Sequence, residues 1–171
     1  MDHPAPADPA NLVLAREPFA SEVPRWVVAR AVRELVVRYG FLHESERGLT
    51  AAMFDPPAGA FVVARRGDAT GPPLGGVGVR ALHPDRDPAV GEVRRLWVDP
   101  DQRGHGIARR LMGALEHAAR DLGLSSLRLV TGEHQPEAVA FYKATGWELA
   151  DLDPAQYGYR FTKELGGRND I

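Results

Sequence analysis

The stretch Asp101–Leu111, DQRGHGIARRL, sets Gly104 and Gly106 two residues apart, crowds Arg103, His105, Arg109 and Arg110 around them, and passes at once into an apolar helical repeat. The repeat runs through Ile107, Leu111, Leu115, Ala118 and Leu122 and stops at Gly123, the residue type that closes many helices in a left-handed conformation. A strand, a glycine turn and a helix start leave the first N–H groups of the helix without acceptors. They lie at the positive end of its dipole, beside residues with no side chain to bar a ligand. The stretch reads as an anion cradle. Two other cradles do not fit it. No Lys followed by Ser or Thr comes after the glycines, as a nucleoside-triphosphate loop requires, and Gly104, Gly106 and Ala108 miss the G-x-G-x-x-G dinucleotide pattern. Glycines so spaced also make turns that bind nothing, so the neighbouring segments decide.

Upstream, VGEVRRLWV (90–98) alternates in the manner of a strand, which places Glu92, Arg94, Leu96 and Val98 on one face and Val93, Arg95 and Trp97 on the other. AFVVARR (60–66) and LGGVGVRAL (74–82) are β-rich runs joined by GDATGPP, whose composition suits a hairpin loop, so the three runs form an antiparallel meander. NLVLAREP supplies a first strand. Ser21 and Pro24 open a helix that closes near Gly40, with Val28, Val32, Leu35, Val36 and Tyr39 at helical spacing. LTAAMF predicts a second, short helix, capped by Thr50 or Ser45 and halted by Pro56 and Pro57. Downstream, SLRLVT is a strand, Pro136 to Gly146 bounds a helix, and YGYRFTKEL closes the chain as a strand. This order predicts an α/β fold: a mixed, mostly antiparallel sheet of six or seven strands, flanked by about four helices, with a parallel crossover in its second half.

Composition bounds the function. The chain has 171 residues, 44% hydrophobic and 26% charged, which fits one domain over residues 12–165 between loose tails at 1–11 and 166–171. A net charge of -2 gives no field to gather nucleic acid or anionic lipid, and no apolar run is long enough for a bilayer. The start shows no basic segment followed by an apolar core, so no secretory signal is expected. Cysteine is absent, which removes disulfides and thiol nucleophiles and suits the cytoplasm. The six histidines lie at no helical ligand spacing, and no metal is expected.

Three motifs in order resemble the GNAT superfamily of acetyl-coenzyme A dependent N-acetyltransferases over about Leu12 to Leu165. The loop Arg103, Gly104, His105, Gly106, Ile107, Ala108 matches the pattern Arg or Gln, two residues, Gly, one residue, Gly or Ala. LWVDP before it is similar to the segment that pairs with the pantetheine arm, and AVAFYKATGW after it is similar to the ALYxxxGF signature. The resemblance implies that residues 103–108 cradle the coenzyme pyrophosphate, that Leu96, Trp97 and Val98 line its arm, that the Val98 N–H serves the oxyanion, and that Gln135 faces the coenzyme. It implies Glu92 as general base, directly or through water, and Tyr142 as the acid for the departing thiolate. Each has a plainer reading: Glu92 as an Arg-paired strand carboxylate, Tyr142 as a core aromatic, His105 as a solvated loop residue.

The acceptor implied is a primary amine of a small molecule, received by Tyr39, Phe41 and Glu44 in YGFLHESERGL. Relatives that acetylate protein amino termini carry a glutamate where this chain has Val130, and Glu133 lies too far along to replace it. The alternatives are a protein amine acetyltransferase, or a module that binds or senses coenzyme A without turnover. Monomer and homodimer both stay open.

Overall fold

A computed structural model describes residues 11–42, 47–83, 85, 89–153 and 158–166. Glu44, Ser45 and nearly all of the two tails lie outside them. Seven strands and three α-helices appear among the described residues: β1 (Leu12–Arg16), α1 (Glu22–Tyr39), β2 (Gly59–Arg66), β3 (Pro73–Ala81), β4 (Val90–Val98), α2 (Ile107–Asp121), β5 (Ser126–Gly132), α3 (Pro136–Ala144), β6 (Glu148–Asp153) and β7 (Gly158–Glu164). They form one sheet in the order β1-β2-β3-β4-β5-β7-β6, antiparallel except where β4 meets β5. The helix between those two strands, α2, makes the parallel crossover.

One face of the sheet carries α2. Ile107, Leu111, Leu115 and Ala118 pack with Val62, Val77, Val79 and Leu127, all nearly inaccessible. The other face carries α1, whose Val27 and Ala31 lie on Phe61, Val63 and Trp97. Gly76 and Gly78 clear the way on that face: a Cβ on Gly78 would come within 3.0 Å of the Phe54 and Phe61 rings, and one on Gly76 within 2.9 Å of Phe61. The run LGGVGV is thus a bed for aromatic rings.

Three expectations need correction. The short helix at LTAAMF is a single 3-10 turn, Ala51–Met53, with no side-chain cap from Thr50. Phe54 ends it by entering the core, stacked on Phe19 at 4.8 Å, so α-helices number three rather than about four. The buried face of α1 is Pro24, Val27 and Ala31, one step round from the apolar stripe read in the sequence, and Val36 is exposed. Finally, the alternation of β4 does not run its length. Two steps on β3, Gly76 to Gly78, face three on β4, Arg94 to Trp97, and Arg95 takes a left-handed φ of 61°. This bulge turns Val98 to the same face as Val93, and Trp97 to the opposite one.

Candidate active site

After Glu92, just ahead of the bulge, β4 leaves its neighbour β5. Only Val90, Gly91 and Glu92 pair with β5, opposite Ser126, Leu127 and Arg128. β5 stays bound to β7 along its whole length. The parted strands open a cleft of about 450 Å³, walled by Val93–Val98 of β4 and Leu129–Gly132 of β5 and flanked by the end of α1 and by α3. Arg103, Gly104 and Ala108 bring the start of α2 to it.

That start leaves backbone donors beside open space. Gly104 and Gly106 hold φ of 80° and 79°, a region costly to any residue with a Cβ, and a Cβ at either would meet nothing within 4 Å. The glycines are therefore demanded by backbone angle, and the space beside them is open. The first bond of the helix runs from Arg110 N–H to Gly106 O, so the N–H groups of Ile107, Ala108 and Arg109 have no helical acceptor. The Ile107 side chain is core and 1% exposed, so only its backbone is offered to that space. The ring of His105 lies with Nδ1 3.2 Å from Gln102 O, and a carbonyl only accepts, so Nδ1 holds the proton.

Leu96, Trp97, Val98, Gln135, Tyr142, Tyr39 and Phe41 all line the cleft. Tyr142 is 6% exposed, packed on Trp147 at 5.7 Å and Phe161 at 5.6 Å, and burial raises its phenol well above the ordinary value. It stays protonated through the neutral range. Gln135 donates from Nε2 to the Tyr39 hydroxyl at 3.4 Å, which joins the end of α1 to the start of α3.

Glu92 is not brought to the cleft lining. Buried at 5% exposure, its Oε2 accepts from Arg80 Nε at 2.8 Å and lies 2.7 Å from the same guanidinium's NH2, with Arg94 and Arg128 within 3.9 and 3.8 Å. It ties β3, β4 and β5 together where the cleft begins. Removing one partner of such a cluster leaves buried charge uncompensated, typically a loss of about 3 kcal/mol. Glu92→Gln is expected to lower the melting temperature by several degrees and to leave the shape of the pH–rate profile unchanged. A turnover deficit confined to low pH, where the amine is protonated, would instead make Glu92 the base.

Glu34 was not singled out in the sequence. Its oxygens accept from both terminal nitrogens of Arg103, at 3.1 and 2.7 Å, from Arg38 at 3.0 Å and from the Trp97 indole at 3.1 Å. Burial pushes its carboxyl up, but Arg103 and Arg38 together outweigh burial and hold it below its ordinary value. The stabilisation this gives is fully present above the ordinary carboxylate range and is lost as pH falls through the lowered value. Glu133, by contrast, is exposed beside His134 at 3.7 Å, and Val130 lines the cleft.

The parted strands and the open helix start thus meet in one cleft. The chain belongs to the acetyltransferase (GNAT) family, whose model matches residues 28–147. It is an acyltransferase, and its donor is acetyl-coenzyme A. It is 35% identical over 146 residues to an IAA acetyltransferase from Azospirillum brasilense, covering 84% of this chain and 88% of that one. The fold is similar to that of a putative acyl-CoA N-acyltransferase from Klebsiella pneumoniae, with a TM-score of 0.68, 21% identity, and 91% and 98% of the two chains covered. It is similar too to PaiA N-acetyltransferase from Thermoplasma acidophilum, solved with coenzyme A, with a TM-score of 0.65, 14% identity, and 90% and 98% covered. Among the described residues no helix is long and apolar enough to cross a membrane, and no group of three His, Cys, Asp or Glu side chains is placed to hold a metal.

Proposed function

We propose that the chain is an N-acetyltransferase that moves the acetyl group of acetyl-coenzyme A to a primary amine of a small molecule by direct attack. The observation that carries this is the joining of the parted β4–β5 wall to the open helix start at Gly104–Ala108 in one continuous cleft. The pantetheine arm lies between the parted strands, along Leu96–Val98, and the diphosphate meets the free N–H groups of α2. The acceptor enters past Tyr39 and Phe41. Tyr142, protonated and on the cleft wall, donates its proton to the leaving thiolate, which becomes negative only as the thioester bond breaks.

Proton removal from the amine has no unengaged carboxylate among the described cleft residues. Glu34 is held by Arg103 and Arg38, and Glu137 by Arg38. The amine's proton therefore goes to water, and the rate rises with pH as the neutral amine grows. A small acceptor is supported by Val130, which leaves no carboxylate at that point of the wall to grip a peptide amino terminus, and by the likeness to the Azospirillum IAA acetyltransferase. The test is release of free thiol from acetyl-coenzyme A against a panel of small amines and peptides. Thiol release with small amines alone is expected. Release with peptides alone would assign a protein acceptor, and coenzyme binding without any release would make the chain a binding or sensing module.

A further inference from the structure

Glu34 and Arg103 both line the cleft, and their bond crosses from α1 to the residue that opens the cradle. This inference rests on the coenzyme site proposed above. Arg103 has five N–H hydrogens: Nε gives its own to Val98 O at 3.0 Å, and each terminal nitrogen gives one to Glu34, which leaves two. A second anion arriving at the loop meets a guanidinium whose fork already faces a carboxylate, and it meets that carboxylate's charge as well.

We propose that Glu34 competes with the coenzyme diphosphate for Arg103, and that by recapturing the guanidinium it helps to eject coenzyme A after transfer. Acetyl-coenzyme A and coenzyme A carry the same diphosphate, so affinity for that handle holds product as firmly as donor and contributes nothing to the transfer itself. A built-in competitor trims this shared affinity and speeds a step that often limits turnover. Glu34 is held in readiness by the Trp97 indole and by Arg38, neither of which the diphosphate need displace. Its lowered pKa keeps it anionic across the neutral range.

Titration calorimetry of coenzyme A and of pantetheine, which lacks the diphosphate, tests this with Glu34→Gln, Arg103→Met and the double variant, each checked by a thermal melt. Glu34→Gln is expected to bind coenzyme A at least about fivefold more tightly. It should leave pantetheine affinity unchanged and give no tightening in the Arg103→Met background, because the effect runs through that guanidinium. Glu34→Asp keeps the charge but withdraws it by one methylene, should tighten part of the way, and supplies the comparison if Glu34→Gln melts early. Equal or weaker affinity for coenzyme A in folded variants overturns the proposal, as does equal tightening with Arg103→Met. A parent protein that binds pantetheine and coenzyme A equally overturns the diphosphate cradle itself, and this inference with it.

Discussion

Gly106→Glu is expected to abolish coenzyme A binding while the protein stays folded. The residue caps α2 at a φ of 79°, and open space lies where a Cβ would stand, so the new side chain is not refused by the protein. It enters the volume assigned to the diphosphate and sets a negative charge against the dipole end that would hold one. Gly106→Ala separates the two causes. It suffers only the left-handed backbone, about 1 kcal/mol, and should keep coenzyme affinity within roughly tenfold. For the glutamate the loss should exceed about a hundredfold, since it both fills the site and repels the ligand. Calorimetry with a melt on each variant decides, and a folded glutamate variant with parental affinity would remove the cradle from this loop.

Tyr142→Phe comes next in expected size. The ring sits among Phe141, Trp147 and Phe161, and deleting one hydroxyl leaves that packing in place, so the melt should hardly move. Turnover should fall by at least about tenfold, with coenzyme affinity unchanged, because a proton donated to the leaving thiolate acts only in the transition state. Burial raises the phenol, so the donor remains competent well into the alkaline range and no rate loss from its ionisation is expected near neutrality. A variant that melts normally and turns over within about twofold of the parent would show a core aromatic with no part in the chemistry.

The strands as far as α3 and the glycine turn ahead of α2 were legible because they rest on local patterns: alternation, turn composition, and a glycine pair before an apolar helix. What escaped the sequence was non-local. On α1, Pro24, Val27 and Ala31 are buried and Ala31, Glu34, Leu35 and Tyr39 line the cleft; an apolar count finds Leu35 and Tyr39 but also takes in Val28, Val32 and Val36 and passes over Glu34. Charged residues fit this helix because its second half overhangs the cleft and finds Arg103, Trp97 and Glu137 there. Nothing in β4 itself marks Arg95 as the seat of the bulge: Arg95 is no glycine, and its left-handed turn follows from pairing with β3, which no window of β4 contains. The resemblance implies Glu92 as the base, and the residues around it in β4 show only Arg94 and Arg95 as partners. Only the fold brings Arg80 and Arg128 beside it.

The short pairing of β4 with β5 makes the sheet two leaves on a narrow spine. One leaf is β1 to β4, the other β5 to β7, and Val90–Glu92 with Ser126–Arg128 are the stitches. The spine is tightly backed: a Cβ on Gly91 would fall within 2.9 Å of Leu124, Leu127 and Val79. A change in the opening angle of the leaves would load these few amides together with the α2 core that packs on both. A molecule wedged between them is expected to be read remotely, as a change in hydrogen exchange among the amides of Val90–Glu92 and Ser126–Arg128, before any atom of the acceptor is identified.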